Sequence, residues 1–241
     1  EITYGDWSSD VCSSDLNIKY NNFLNIMKIA VVLHLYYLSS WEYIGSRLKA
    51  LTNYMSLDTD IDLYVSLCVD KKDISQEILK DFPDAKIFIL QNKGKAAGPF
   101  MCAFQYMIAN DKKYDYILKL ISKSKFTKDV NWKKELIDPF IGSPKHLDDA
   151  IKLISKNKES HKIAIPLKRL KHEDDYSWME PILTGFNMKV DNIDRAYSDG
   201  GTFMAEYNAV LEFFKSIKIS DFYDQMPLGK NNPGLCDAME I

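Results

Sequence analysis

Three apolar runs separated by helix-like segments constrain this chain more than anything else in it. They span residues 28–36, 61–69 and 86–90. The first, Lys28-Ile-Ala-Val-Val-Leu-His-Leu-Tyr36, is almost continuously apolar. That suits a strand buried on both faces rather than one with a solvated side. Strand–helix–strand alternation predicts a parallel sheet, and such sheets bind ligands beyond the carboxyl ends of their strands. The third run empties into Asn92-Lys-Gly-Lys-Ala-Ala-Gly-Pro-Phe100, a basic loop carrying two glycines. Chemistry is expected there.

The first sixteen residues are set aside. Asp6-Trp-Ser-Ser-Asp-Val-Cys-Ser-Ser-Asp-Leu16 is what a common sequencing-library adapter encodes when read through in frame, and it has no apolar period to support a fold. Residues 17–26 form a leader of unassigned origin, and Met27 is the expected start of the folded unit. Asp237-Ala-Met-Glu-Ile241 reads as a helix cut off without a cap, so a fragment at both ends is expected.

Residues 27–241 suffice for one α/β domain with a full core. A net charge of -3 gives no global basic signal, so nucleic acid is not an expected partner. The longest apolar run, 29–38, is interrupted by His34 and is too short to span a bilayer. Without Cys12, the cysteines are Cys68, Cys102 and Cys236, with no C-x-x-C pair. That pattern points to reduced thiols and a cytoplasmic setting.

Ser39 and Glu42 have capping-box spacing and open a helix predicted to run to about Met55. Asp73 and Gln76 repeat the pattern before a second helix that Pro83 ends. Pro99 sits in the first turn of a third helix over 100–108. A fourth strand is predicted over 114–121, helices around 131–140 and 146–155, and a fifth strand over 161–167. Residues 168–192 carry no clear period. Gly200-Gly-Thr-Phe-Met204 reads as a turn feeding a short strand, with a helix over 209–217.

In the loop, Gly94 and Gly98 let backbone approach a ligand, and Lys93 and Lys95 can meet phosphate charge at the amino end of the following helix. Lys119, Lys123 and Lys125 around the exit of the fourth strand can clamp a diphosphate or form a solvated basic turn. His34 is placed either to touch a base or sugar or to pack as a core histidine. Asp58-Thr-Asp-Ile-Asp62 spaces carboxylates like a metal loop, but it precedes a strand and no Gly or bidentate Glu completes it. It is read as a strand lead-in, and His172-Glu-Asp-Asp175 as a solvated charge run.

Residues 27–37, Asp62-Leu-Tyr-Val-Ser66, the loop 92–100 and Tyr114-Asp-Tyr-Ile-Leu-Lys-Leu120 together resemble the rhamnan synthesis protein F family, with Gly200-Gly-Thr202 and Asp237-Ala-Met-Glu240 as looser matches. The resemblance covers residue 27 onward. It implies an α/β, GT-A-like (Rossmann-like), mostly parallel sheet flanked by helices. It implies a glycosyltransferase that moves rhamnose or a related sugar from a nucleotide sugar to a glycan or lipid-linked glycan acceptor, in bacterial cell-wall and capsular polysaccharide synthesis. Cytoplasmic localisation follows, at the inner face of the membrane beside membrane assembly enzymes. The family loop reads Asn-Arg-Gly-Arg-Asp-x-Gly-Pro; here the arginines are Lys93 and Lys95, and the aspartate is Ala96. After the fourth strand the family's histidine and threonine are Ile121 and Ser122 here, and Ala205 and Tyr207 replace a later aromatic and arginine. Lysine cannot reproduce the bidentate fork of arginine.

On this reading His34, Asn92, Gly94, Lys95 and Gly98 hold the nucleotide or its phosphates. Lys119 and Lys123 stabilise the leaving diphosphate. Inverting transfer needs a carboxylate base, for which Asp199 and Glu240 are the candidates. No cofactor is required, and a divalent metal is not expected, because the exit of the fourth strand carries lysines and no carboxylate. Asp115, Glu173 and Asp199 are the carboxylates that could reach it from elsewhere. The alternative is a non-catalytic, nucleotide-sugar-binding or scaffold member, which Ala96 and Ile121 favour. A Rossmann-type methyltransferase needs glycines directly after the first strand, where this chain has His34-Leu-Tyr-Tyr-Leu-Ser-Ser40.

Overall fold

The structure is a computed structural model that describes residues 26–55, 58–123, 132–156, 162–167, 170–172, 196–198 and 201–215. The apolar runs become β1 (Met27–His34), β2 (Thr59–Cys68) and β3 (Lys86–Leu90), followed by β4 (Tyr116–Ile121). Two short strands, β5 (Ile163–Ala164) and β8 (Phe203–Glu206), complete a six-stranded sheet of order β3-β2-β1-β4-β8-β5. The first four strands are parallel, and β8 runs antiparallel to β4 and β5. A separate antiparallel pair joins β6 (Leu170–His172) to β7 (Ala196–Ser198), within and just beyond the stretch whose sequence has no clear period.

Alternation along β1 divides the core. Ile29, Val31, Leu33 and Leu35 face one layer, made by α1 (Trp41–Met55), α2 (Ser75–Asp81), a π-helical turn (Lys133–Ile137), α4 (Asp138–Ile141) and α5 (Pro144–Lys156). Ala30 and Val32 face the other, made by α3 (Ala97–Ala109) and α6 (Tyr207–Lys215). Both faces of β1 are covered, which is why its sequence is apolar at every step from Ile29 to Leu33. Trp41, Ile44, Leu48 and Leu51 fill the first layer, and Phe100, Met101, Phe104 and Met107 the second. Each such side chain contributes roughly 1.5–3 kcal/mol of transfer free energy when fully buried.

The crossovers decide where a ligand can sit. From β1 through β2 to β3 the chain advances toward one edge, with α1 and α2 on one face. From β3 it jumps back across β1 to lay down β4, and α3 lies on the opposite face. Right-handed crossovers require that change of face when the direction reverses. The reversal puts a topological switch point between the exits of β1 and β4.

Several boundaries moved. Ser39 lies inside a 3-10 turn (Leu38–Ser40), whose N-cap Tyr37 makes no side-chain cap bond. Asp73 also falls within a 3-10 segment (Val69–Ile74), and α2 starts after an uncapped Ile74. Neither predicted capping box caps its helix, because each helix enters through a tight turn that supplies its own backbone bonds. The fifth strand shrinks from 161–167 to two residues: it pairs only with β8, itself four residues long. β2 begins at Thr59, so the Asp58–Asp62 alternation lies mostly within the strand rather than ahead of it. Asp62 Oδ2 accepts a 2.5 Å hydrogen bond from the Tyr114 hydroxyl, which also lies 2.5 Å from that of the buried Tyr64.

Candidate functional site

The exits of β1 and β4 are tied by hydrogen bonds that a diverging pair of strands would otherwise leave unmade. Ser122 N donates to the His34 carbonyl at 3.0 Å. Tyr37 N donates to Ser122 Oγ at 2.9 Å, and Ser40 Oγ to the Lys123 carbonyl at 2.9 Å. Serine hydroxyls here replace the ladder that ends at Ile121, so the crevice wall is fixed.

Three polar side chains stand on the α3 face of otherwise apolar strands. His34 pairs in register with Ser66 on β2 and Ile121 on β4, and Lys119 pairs with Val32, two residues before His34. Period-two alternation puts all three on one side of the sheet. All are buried, Lys119 to 2% exposure and His34 to 8%. His34 Nδ1 lies 3.0 Å from Ser66 Oγ, which reaches the Leu33 carbonyl at 3.4 Å. Burial, reinforced by the positive charges of Lys119 and Lys71, lowers the His34 pKa to about 4. The imidazole is neutral at pH 7.

Lys119 reaches the first turn of α3. Its Nζ lies 5.4 Å from the ring centroid of Phe100 and 5.6 Å from that of Phe203 on β8. Two ring faces stabilise a cation that burial would otherwise make costly. This contact joins the exit of β4 to the glycine loop, because Phe100 is only two residues past Gly98.

The loop has the backbone that its glycines permit. Gly94 adopts φ 71° and Lys95 φ 47°, so the chain turns through the left-handed region immediately before α3. Gly98 lies inside the first turn of α3, and its N–H donates to the Gly94 carbonyl at 3.0 Å. Its amide is thus committed to the helix, and Gly98 offers a ligand close approach rather than a donor. Gly94 and Gly98 are buried, whereas Asn92, Lys93 and Lys95 are half-buried. Ala96 is the helix N-cap residue and is buried too. α3 begins three residues earlier than predicted, and Pro99 still falls in its first turn.

Of the predicted site residues, the structure places His34 and Lys119 on one face of neighbouring strands, two register positions apart, and brings the amino end of α3 to Lys119. Lys123 lies at the rim, at the exit of β4. Asn92, Gly94 and Lys95 occupy the same end of the sheet, beyond edge strand β3. Asp199, Glu240, Glu173 and Lys125 lie outside the described residues. Asp115 sits at the opposite end, where its carboxylate accepts from Lys28 N at 2.7 Å. A groove there, lined by Met27, Lys28, Lys113 and Tyr116 among others, lies at the end of the sheet opposite the exits of β1 to β4. Among the described residues no cluster of three or more His, Cys, Asp or Glu side chains could hold a metal ion. Among them, too, no helix is long and apolar enough to cross a membrane.

Sequence reasoning missed Ser66, Lys71 and Phe203. Ser66 had a usable signal: it is the one serine in β2, at the height of His34 on the neighbouring strand. Lys71 had none, because it stands in the charged string Asp70-Lys-Lys-Asp73.

A search of curated proteins finds no match to the chain. Among solved structures, a crystal structure of 4-diphosphocytidyl-2C-methyl-D-erythritol synthase is 11% identical, covering 81% of this chain and 82% of its own, with a TM-score of 0.43. That likeness is too distant to bear on ligand or mechanism. The model of the family described as rhamnan synthesis protein F matches residues 3–170, well over half of the sequence. The chain belongs to the rhamnan synthesis protein F family.

Proposed function

We propose that this chain is a glycosyltransferase-like domain that binds a nucleotide sugar and passes rhamnose or a related sugar to a cell-surface polysaccharide. The family name supports polysaccharide synthesis as its setting. One observation carries the reading of the site: buried Lys119 and buried, neutral His34 share one face at the switch point of a parallel sheet, beside the amino end of α3. In this proposal the nucleotide lies across the exits of β1 to β4. Asn92, Gly94 and Lys95 hold it from the loop, while Gly98 lets backbone come close. Lys119 and Lys123 stabilise charge on the leaving diphosphate, in place before the glycosidic bond breaks. Asp199 or Glu240 serves as the base that deprotonates the acceptor hydroxyl. The domain works in the cytoplasm, at the inner face of the membrane, on a glycan or lipid-linked acceptor.

Calorimetry with thymidine or uridine diphosphate tests the site. Lys95→Ala is expected to weaken binding roughly tenfold, the effect of losing one charge-assisted bond. Equal affinity in both proteins would remove the loop from the site.

The second reading is a binding or scaffold member without turnover. Ile121 favours it, since this buried side chain lies beside His34 in register and offers no polar atom. Donor hydrolysis, even slow, separates the two.

A further inference from the structure

Lys71 belongs to none of the motifs read from the sequence. It lies in the 3-10 segment after β2, and its own φ of -127° and ψ of 15° break that segment in two. The break is accompanied by a side chain that returns over the exit of β1. Lys71 Nζ donates to the Tyr36 carbonyl at 2.7 Å and lies 3.4 Å from the Tyr36 ring centroid. It is 5.9 Å from the Tyr37 ring. The Tyr36 ring is in turn 6.2 Å from the His34 imidazole. Lys119 approaches the same imidazole from β4 on the other side of β1.

Ammonium groups from two strand exits therefore flank one buried ring. Among the described residues, the groups facing His34 are Ser66 from β2, Tyr36 from its own loop, Lys71 from the turn after β2, and Lys119 and Ile121 from β4. Both formal charges among them are positive. His34 yields to them by staying neutral, so it adds no third charge and remains a hydrogen-bonding group. Positive charge gathered at a crevice with restricted access to water favours an anion there. Two ammonium groups on opposite sides of a ring suit a ligand with more than one phosphate, which can meet both.

We propose that Lys71 is a binding residue of this site and that, with Lys119 across the crevice, it seats a diphosphate over His34. The identity of the ligand as a nucleotide sugar rests on the function proposed above; the seat for the diphosphate does not.

The test follows the His34 imidazole by NMR while pH is varied, in the full chain, with and without inorganic pyrophosphate. Pyrophosphate is expected to raise the His34 pKa, because an anion on the two lysines restores the charged form. Lys71→Met removes one cation and is expected to raise the pKa of the free protein, and to weaken pyrophosphate binding roughly tenfold. Lys71→Arg keeps the charge and should bind within about twofold of the unaltered chain. A His34 titration that ignores pyrophosphate would overturn the proposal, as would unchanged affinity in Lys71→Met. Should Lys71→Met fail to fold, the pyrophosphate response of the unaltered chain decides the matter. If thymidine diphosphate binds equally to the unaltered chain and Lys71→Met, this inference fails and the nucleotide-sugar reading stands. If only pyrophosphate binds, and Lys71 governs it, the reverse holds.

Discussion

Holding an imidazole neutral beside two lysines has a cost that solution measurements can read. His34 titrates near 4 in the folded chain and near 6.5 when unfolded, with burial as the larger cause and Lys119 and Lys71 behind it. The unfolded chain therefore binds this proton more tightly. Stability attributable to His34 is complete above pH 6.5 and is lost as pH falls toward 4, by up to roughly 3 kcal/mol. His34→Gln keeps a polar group of similar reach and removes the titration. Between pH 7 and pH 4 the stability difference should move in favour of His34→Gln by about that amount. A constant difference, measured by denaturant unfolding at several pH values, would show that the ring is not held neutral. The same residue explains how a site can hide in plain sequence. His34, Ser66 and Lys119 each interrupt an apolar strand, and each alone reads as core or noise. Only the register of β1 against β2 and β4 shows that they share one face.

Elements were most legible where one physical demand dominated. β1 announced itself because burial on both faces forbids polar alternation, and the glycine loop because a left-handed turn before α3 needs Gly94. Helix starts were less legible, because a local 3-10 turn can replace a side-chain cap, as before α1 and α2. The strand pair β6–β7 was invisible: its members are three residues each and far apart in sequence. The helical layer over α1 carries a sharper expectation. Asp138 at the start of α4 accepts from Arg47 Nε at 2.8 Å and from the Tyr43 hydroxyl at 2.5 Å, and burial, followed by the bond to Asp138, pushes the Tyr43 pKa up to about 12. Gly142 closes that short helix by donating its N–H to the Asp138 carbonyl at 3.0 Å. A Cβ at Gly142 would stand 2.6 Å from that oxygen and 2.9 Å from Asp138 Cα, so backbone would have to move. Gly142→Ala should cost about 1–3 kcal/mol. Gly45→Ala is the control. Its Cβ would first meet the Trp41 ring, a side chain rather than backbone, at 3.0 Å, and helix propensity returns about 1 kcal/mol. Comparable losses in the two variants would mean that the α4 junction yields more easily than its geometry implies.

At the scale of the whole molecule, the reversal from β3 to β4 decides what kind of chemistry the crevice can support. Among the described residues, the strand exits there deliver mainly neutral or positive groups, His34 from β1, Ser66 and then Lys71 from β2, Lys95 beyond β3, and Lys119 and Lys123 from β4, while Asp70 and Asp73 are the carboxylates in the turn after β2. A divalent cation bridging a diphosphate would need carboxylates at this position and would be repelled by the lysines already in it. Transfer or donor hydrolysis is therefore expected to continue in excess chelator, with the lysines carrying the charge of the departing diphosphate. Their effect is electrostatic, so activity should fall as salt rises while remaining indifferent to magnesium or manganese. Asp199 is the carboxylate best able to upset this expectation. It precedes β8 by four positions, and β8 enters the sheet antiparallel to β4, with Phe203 paired to Lys119 at the exit. The measurement is donor turnover in chelator, then with each metal restored, on the unaltered chain and on Asp199→Asn. Activity that vanishes in chelator, returns with either metal and depends on Asp199 would replace the lysine mechanism with a metal-bridged one. Activity that survives chelator but is lost in Asp199→Asn would leave the lysines in place and assign that carboxylate to the acceptor hydroxyl.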